Sequence, residues 1–326
     1  PTAEPGKENP IIQIRGRGTF GGSNDPLILI DGVSGSLNNL SPNDIKSVSV
    51  LKDAASAAIY GARAANGVIL VTTKKGKKGA PVITYSGNIS IQSPTRLPEV
   101  ISNSAEYMEM YNRAAYRQNL PFKYDEEEIE IYRNPPDSLK DYYPNFDAYD
   151  YWYRNATVHN HNLSVTGGGE NSMYNASFSY LNQNAILPGY RFKRYNALLN
   201  YTLDITKWIT LGTIVNLTYK YDKKPPMHDV FLPLYITTAN PLNEAYLPDG
   251  SGRVVSQAYR GEPRQRNPAE IYLMGNYYSR ENNLNGQAYI DLKPFKGLTW
   301  TTKFAVDYMD RFFKTHQEAY TTNYLH

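Results

Sequence analysis

The chain has 326 residues with 34 basic and 31 acidic side chains, so its formal net charge of +3 gives no electrostatic case for nucleic acid as a partner. Because it has no cysteine, disulfides, zinc–thiolate sites and thiol nucleophiles are excluded. No run of about 18 apolar residues is available to form a membrane helix. A mean hydropathy of −0.55 fits a soluble protein, but it also fits a membrane β-barrel, whose strands alternate apolar and polar residues.

Residues 25–79 predict a compact α/β unit, and a short strand precedes it. The predicted elements are a short strand at 11–14, a strand at 28–30 with a turn at 31–32, an apolar stretch at 45–51, a helix at 54–60 and a strand at 68–73. The helix has little side-chain bulk, because residues 54–58 read AASAA. Such a small face lets another backbone pack close to it.

A dense basic cluster follows this unit, formed by Lys74, Lys75, Lys77 and Lys78. We interpret it as a solvated hinge between the α/β unit and the rest of the chain. Attraction to lipid phosphates is the alternative interpretation.

From residue 82 the hydrophobic pattern changes to a period of two, which predicts strands with one apolar and one polar face. The clearest stretches are VITYSGNISIQS (82–93), SMYNASFSYLNQ (172–183), RYNALLNYTLD (194–204), ITLGTIVNLTYKY (209–221) and residues 299–308. Weaker strands are predicted at 159–166 and 284–292. The total is about seven strands, whose polar faces consist mainly of Asn, Ser and Thr.

The connections between these strands alternate in length. Short links are predicted at 167–171, 204–208 and 293–297, and long ones near 94–156 and 222–282, with residues 182–193 intermediate. Short turns on one side and long loops on the other are typical of outer-membrane barrels. A soluble carbohydrate-binding β-sandwich also alternates along its strands, and we keep it as the alternative of another class.

The long loop near 94–156 has structure of its own. Residues 103–119 predict a helix with Ser104 as its cap and an apolar face formed by Tyr107, Met110, Tyr111, Ala114 and Ala115. A structured loop of this length is more often functional than filler.

Several groups of residues resemble metal, phosphate or RNA sites, and we prefer a structural interpretation for each. His159 and His161 lie on one strand face but lack a third ligand at matching spacing, so we interpret them as polar residues at a barrel rim. The acidic run 125–128 is most simply a helix start. The GGGE sequence at 167–170 leads into a strand, so no helix dipole is available for a phosphate. The RGRG sequence at 15–18 is a single copy without interleaved aromatics, which disfavours RNA binding.

Residues 14–79 resemble the SusC/RagA-type TonB-dependent outer-membrane transporters of Bacteroidota. The similarity lies in IRGRGTFGGSNDPLILIDGV (14–33) and LSPNDIKSVSVLKDAASAAIYGARAANGVILVTTKKGKKG (40–79). The stretches NLSVTGGGENSMYNASFSY (162–180) and FKRYNALLNYT (192–202) also resemble this family's early barrel strands. Lys46 and Ser49 depart from the pattern, since the family usually has glutamates there.

The resemblance implies a membrane β fold, namely a transmembrane antiparallel β-barrel of 22 strands in the full family, with an internal α/β plug domain. We assign residues 1–80 to the plug and 81–326 to the N-terminal part of the barrel, with extracellular loops near 94–156 and 222–282. Seven strands would leave two open edges, which lipid does not tolerate. We therefore expect the chain to be part of a longer protein.

The resemblance further implies TonB-dependent import across the outer membrane of a Gram-negative bacterium, most often of oligosaccharides. The implied partners are a SusD-like surface lipoprotein acting as a lid, the TonB–ExbB–ExbD complex, the glycan or peptide ligand and outer-membrane lipid. Import of peptides, or of a siderophore or cobalamin, is the alternative. We predict no enzymatic activity and assign no catalytic, cofactor or metal-binding residue. Ligand contacts are unassigned, with tyrosines and Trp152 as candidates for stacking on sugar rings.

Overall fold

A computed structural model describes residues 5–6, 12, 14, 25–53, 58–226, 231–255 and 267–317. Two sheets organise these residues, one of four strands and one of seven. The four-stranded sheet contains β1 (Leu27–Ile30), β2 (Val33–Ser34), β3 (Ile45–Leu51) and β4 (Val68–Thr73). The seven-stranded sheet contains β5 (Gly79–Gln92), β6 (Ala156–Gly168), β7 (Ser172–Asn184), β8 (Arg191–Thr206), β9 (Ile209–Lys224), β10 (Gly275–Leu292) and β11 (Trp300–Gln317).

The four-stranded sheet, which we call the inner sheet, has the order β2-β1-β4-β3. β1 and β4 are parallel, and the other pairs are antiparallel. One face packs Leu29 and Val68 with Ala64, and the other packs Ile30 and Val71 with neighbouring apolar residues. Because β1 and β4 are covered on both faces, β1 is apolar along its whole length and β4 is apolar from Val68 to Val71. The predicted strands at 28–30 and 68–73 are confirmed, and the apolar stretch at 45–51 forms β3.

Two predictions for the inner unit are wrong where the structure describes them. Ile12 and Ile14 lie outside any strand, although both pack against the inner sheet, and residues 11 and 13 lie outside the described residues. The segment Ala58–Ala64 forms 3₁₀ turns rather than a helix, while residues 54–57 lie outside the described part of the chain. Gly61 interrupts these turns with a φ of 68°, a conformation that costs glycine little and ends a right-handed helix.

The seven-stranded sheet, which we call the strand wall, is antiparallel, and its strands follow one another in chain order from β5 to β11. All seven predicted strands are present, including the two weak ones. β10 begins at Gly275, well before the predicted start at 284, so the preceding loop is shorter than predicted.

The wall has two ends that differ in their connections. At the turn end, short links join the strands at 169–171, 207–208 and 293–299. At the loop end, long links run over 93–155 and 225–274, and the link at 185–190 is no longer than the turn at 293–299. The predicted alternation of short and long connections therefore depends on the two long loops, because the link at 185–190 is itself short.

The wall buries its polar face and exposes its apolar face. Buried residues include Asn162, Asn175, Ser177, Asn196, Asn200, Asn216 and Thr218, whereas exposed ones include Leu163, Phe178, Leu199, Leu217 and Phe304. A soluble sandwich would bury the apolar face, so the β-sandwich alternative is wrong. Apolar outside and polar inside is the pattern of a transmembrane barrel around its lumen.

The long loops carry five helices in the described residues: α1 (Ser104–Arg117), α2 (Glu126–Arg133), α3 (Ala148–Trp152), α4 (Phe231–Thr238) and α5 (Pro268–Leu273). α1 and α2 share one small core, and α3, α4 and α5 share another. Among these described segments, none is both long and apolar enough to cross a membrane as a helix.

The helix predicted at 103–119 is confirmed, but its cap differs from the predicted one, and only Tyr107 and Ala115 of the predicted face turn to the core. Asn103 caps it, since its Oδ1 accepts the Glu106 amide at 2.9 Å. The face turned to the core carries Ala105, Met108, Asn112 and Ala115, while the predicted Met110 and Tyr111 are exposed. The buried face contains a polar residue, Asn112, which a search for apolar periodicity passes over.

Candidate functional site between the inner sheet and the strand wall

A group of polar contacts between the two sheets forms at a 3₁₀ turn, Leu37–Asn39, of the inner unit. Ser36 caps the start of this turn, with its Oγ accepting the Asn38 amide at 3.3 Å. The main-chain carbonyl of Asn39 at the end of the turn has no intrahelical partner and is open to outside donors. It accepts hydrogen bonds from three wall side chains, which are Asn196 (3.0 Å), Asn216 (2.8 Å) and Thr218 (2.7 Å).

A charged cluster lies next to this turn on β9, β10 and β11. The Nζ of Lys220 donates to the Asn39 Oδ1 at 2.6 Å and pairs with Glu281 at 2.8 Å. Glu281 also accepts from Asn283 Nδ2 at 2.9 Å and from Arg311 Nε at 2.7 Å. Glu281 is buried, and these donors satisfy its carboxylate as a buried charge requires.

A second buried carboxylate lies between the sheets. Asp44 ends the 3₁₀ turn Pro42–Asp44, is 2% exposed, and lies beside Ser177 and Asn162 of the wall. Burial raises the pKa of the Asp44 carboxyl, and the nearby Ser177, Asn162 and Lys74 offset only part of that rise. Among the described residues, its Oδ2 has no hydrogen-bond partner. The buried environment of Asp44 therefore favours the protonated form of its carboxyl group.

The hairpin between β1 and β2 supplies the third contact. Asp31 and Gly32 both have positive φ, 51° and 88°, as the tightest hairpin turns require. The carboxylate of Asp31 accepts the Thr73 amide at 3.1 Å and the Thr73 hydroxyl at 2.6 Å, which ties β1 to β4. Lys303 of β11 donates to the Asp31 carbonyl at 3.3 Å. The inner unit thus contacts wall strands from β6 to β11.

Two cavities lie on opposite sides of the Asn39 contact. The upper cavity, of about 480 Å³, is near the loop end; its lining includes Asn38, Lys220, Asp222, Lys224, Tyr277 and Glu281. The lower cavity, of about 430 Å³, is toward the turn end; its lining includes Asp31, Tyr60, Lys75, Gln287, Tyr289 and Lys303. On β9, the buried Asn216 and Thr218 lie between Lys220 of the upper lining and Ile214 of the lower lining. The inner unit separates the cavities, and its contacts with the wall at Asn39, Asp44 and Asp31 are polar.

The structure places the predicted Trp152 away from any ligand surface. Its side chain is 4% exposed and stacks on Tyr272 with 5.2 Å between ring centroids. Trp152 is therefore part of the loop core, and the suggestion that it stacks on a sugar ring is wrong in this conformation.

His159 and His161 lie on the exposed face of β6, within a row of aromatic rings. The Tyr85 hydroxyl is 2.8 Å from the His161 Nδ1, and the His161 ring stacks on Tyr180 at 6.4 Å. The row continues through Tyr195 and Tyr219, since their rings lie 4.9 Å and 6.0 Å from the preceding ones. Aromatic residues in this position are typical of the girdle of a membrane barrel. In the described part of the chain, no cluster of three or more potential metal ligands occurs.

The other sequence constellations have structural explanations. Asp125 caps α2, accepting the Glu128 amide at 2.7 Å, so the acidic run is a helix start as predicted. Residues 167–170 span the end of β6 and its turn into β7. The four lysines at 74–78 are exposed at the turn end, and the RGRG sequence at 15–18 lies outside the described residues. Four residues of this interface were not identified from the sequence: Asn39, Asp44, Lys220 and Glu281. The only signal in the sequence was the polar face of the strands, which indicates a hydrated interior.

Comparison with known proteins is consistent with this architecture. The family described as "TonB-dependent Receptor Plug Domain" matches residues 2–68. The chain is 33% identical over 306 residues to the TonB-dependent receptor P26 of Formosa agariphila, covering 91% of this chain and 29% of that protein. It is 36% identical over 200 residues to the TonB-dependent receptor SusC of Bacteroides thetaiotaomicron, covering 58% of this chain and 18% of SusC.

Among solved structures, the RagAB peptide importer in its open-open state superposes with a TM-score of 0.75 at 26% identity, covering 92% of this chain and 36% of that one. The closed-closed state gives a TM-score of 0.71, also at 26% identity and with the same coverage. The chain therefore spans less than a third of the length of the curated relatives and about a third of the solved importer.

Proposed function

Because this chain carries the plug and the first barrel strands of a SusC/RagA-type TonB-dependent transporter, we propose that the protein imports a nutrient across the outer membrane by displacing that plug. The inner unit is the plug, and the strand wall is the beginning of the barrel. We further propose that the plug comprises residues 1–80 and that the barrel begins at 81. The proposed location is the outer membrane of a Gram-negative bacterium.

The polar interface between plug and wall supports this mechanism most directly. The contacts at Asn39, Asp44 and Asp31 are hydrogen bonds and one charged cluster rather than an apolar core. When a plug moves, water replaces such hydrogen bonds at a net cost of only about 1 kcal/mol each. An apolar seal of the same area would resist displacement more strongly, because its exposure to water costs about 25 cal/mol per Å². The plug thus seals the lumen and stays removable.

The energy for displacement comes, in this proposal, from the inner-membrane TonB–ExbB–ExbD complex acting on the plug from the periplasm. The turn end of the wall then faces the periplasm and the loop end faces the outside. A SusD-like surface lipoprotein covers the loop end as a lid. The family resemblance in the sequence implies such a lipoprotein, and the two-component name of the RagAB importer supports a partner of this barrel.

Oligosaccharides are the proposed cargo, with the upper cavity as the first contact inside the barrel. Its hydroxyl, amide and tyrosine groups, such as Ser36, Asn38 and Tyr277, suit the hydroxyls and ring faces of sugars. Peptides are the second candidate. The lining carries both signs of charge, from Lys220, Lys224 and Arg311 and from Asp222 and Glu281, as a zwitterionic peptide requires. The likeness to a peptide importer also supports this candidate.

A disulfide between plug and wall tests the mechanism. Asp44 and Ser177 are short, adjacent side chains on the two parts, so Asp44→Cys with Ser177→Cys is expected to cross-link them. In the full-length protein, the oxidised double variant should lose uptake, and a reductant should restore it. Each single variant serves as the control. Undiminished uptake by the fully oxidised double variant would contradict plug displacement.

Uptake assays separate the cargo classes. Cells expressing the full-length protein with its lipoprotein partner are supplied with labelled oligosaccharides, with labelled peptides, or with iron-loaded siderophore or cobalamin. Energy-dependent uptake of oligosaccharides alone supports the first proposal. Uptake of peptides alone supports the second, and uptake of only the siderophore or cobalamin overturns both.

A further inference from the structure

A cationic cavity lies on the outward face of the wall, opposite to the lumen. It has a volume of about 650 Å³ and lies at the loop end of β8 and β9. Its ten lining residues include Arg154, Arg191, Lys193, Lys223, Tyr195 and Tyr219. Four of them are cations and none is a carboxylate.

Strand register explains why these cations share one face. Arg191, Lys193 and Tyr195 alternate along β8 with lumen-facing residues, and they continue to the exposed Leu199 on the outward side. On β9, Lys223 lies directly opposite Arg191, Tyr221 opposite Lys193, and Tyr219 opposite Tyr195. The aromatic row described above therefore runs along the lower edge of the cavity.

The loops complete the cavity with a fourth cation. The main-chain amide of Arg154 donates to the Ile186 carbonyl at 2.9 Å, which holds the end of the long loop against the link between β7 and β8. The Arg191 Nε donates to Asn184 Oδ1 at 3.3 Å, so the guanidinium keeps its remaining donors for another partner.

These cations lack compensating acids. Within the described ranges, Arg191, Lys193 and Lys223 form no ion pair with a carboxylate. Arg280 of β10 lies opposite Tyr221, and Lys314 of β11 lies opposite Tyr278, so the basic band continues across the outward face. Like charges directly opposite each other on a sheet are destabilising. The arrangement is stabilised when a multiply charged anion lies between Arg191 and Lys223.

We propose that this cavity binds the phosphate groups of a phosphorylated glycolipid in the outer leaflet of the membrane. Arginine binds phosphate with two parallel hydrogen bonds, and lysine adds a point charge. The row of tyrosines below is placed at the head-group level, and the exposed apolar residues further down the wall contact acyl chains. The proposal rests on the membrane location in the proposed function. Because the cavity faces outward, it is separate from the lumen through which cargo passes.

The test uses the purified full-length protein in detergent and three probes: a diphosphorylated glycolipid, the same glycolipid after removal of its phosphates, and inorganic phosphate. The variant combines Arg191→Gln, Lys193→Gln and Lys223→Gln. The matched control combines Lys207→Gln, Lys293→Gln and Lys296→Gln at the turn end. Heat-modifiable gel mobility verifies that every protein is folded, and native mass spectrometry measures bound lipid.

The wild-type and control proteins should bind the diphosphorylated lipid, and the variant should bind it at least about tenfold more weakly, since charge-assisted contacts to phosphate are lost. Added salt should weaken the wild-type binding. Arg191→Lys, which keeps the charge, should retain most of the wild-type lipid binding.

Equal binding of the dephosphorylated lipid, or full binding by the folded variant, would overturn the proposal. Equal binding of inorganic phosphate alone would identify a free-anion site instead. Since the readout is lipid binding rather than uptake, failure here leaves the proposed import function standing, and failure of import leaves this result unaffected.

Discussion

Burial of Asp44 gives one contact between the plug and the wall a dependence on pH. Asp44 is buried between the plug and the wall, and burial raises the pKa of its carboxyl above the ordinary value of 3.8. The folded state therefore binds the proton more tightly than the unfolded chain does. The resulting contribution to stability is fully present below the unfolded pKa and is lost as the pH rises through the folded pKa.

This gives a prediction for Asp44→Asn, which cannot ionise. The wild-type full-length protein should become less stable as the pH rises from below about 4, and the variant should lose this part of the pH dependence. At neutral pH the variant should be more stable by about 1 kcal/mol, because no charge is buried. Thermal unfolding midpoints measured across this pH range provide the check. Parallel profiles for the two proteins would show that Asp44 does not carry the effect.

For single residues of the interface, the sequence predicts their polar character but not which residues they contact. The polar strand faces correctly indicate a hydrated interior, since Asn, Ser and Thr repeat on one side of each strand. Nothing in the sequence indicates that the Asn39 carbonyl meets Asn196, Asn216 and Thr218, because those contacts join distant parts of the chain. Trp152 was misjudged for the same reason, as its partner Tyr272 lies in another loop.

Among the elements, the α1–α2 pair of the first long loop depends on one polar side chain. Asn112 is buried on α1; its Nδ2 donates to the Tyr124 carbonyl at 2.6 Å, and its Oδ1 accepts the amides of Lys123 at 3.1 Å and Tyr124 at 3.2 Å. It thereby fixes the chain segment that leads into α2. Removing it takes away these three hydrogen bonds to the backbone.

We expect Asn112→Leu to destabilise this loop by about 2–3 kcal/mol, because buried backbone groups lose their hydrogen bonds. Cleavage between residues 94 and 156 by a protease should accelerate on the order of 100-fold, since cleavage follows the population of the open loop. Arg113→Ala, at the exposed neighbouring position, should cleave at the wild-type rate. If both variants cleave equally slowly, Asn112 does not hold the loop.

Strands are predicted better than helices here, and the reason is physical. A strand between lipid and a wet lumen must alternate, so its pattern is clear wherever the membrane covers it. The exception supports this explanation: β10 was predicted to begin at 284, yet it begins at Gly275. Residues 276–283 read NYYSRENN and are polar or tyrosine on both faces, as expected above the membrane where no apolar face is needed.

For the whole molecule, the arrangement of the two wall ends predicts its orientation. The chain has no cysteine, so a single introduced one is the only thiol that this part contributes. Tyr116→Cys, at a position 71% exposed on α1, should react with an impermeant thiol reagent in intact cells. Lys207→Cys, in a short turn, should react only after the outer membrane is permeabilised. The reverse pattern of labelling would contradict the proposed orientation.

The chain order of the wall strands has a consequence for how the molecule folds. Each wall strand pairs with its immediate neighbours in sequence, so the wall can grow hairpin by hairpin with short loop closures. The plug precedes the wall in the chain, yet Lys303 meets the Asp31 carbonyl across a separation of 272 residues. That contact therefore forms only after the strands up to β11 are in place. The plug must stay compact on its own during this interval, and its two apolar clusters around β1 and β4 provide the means.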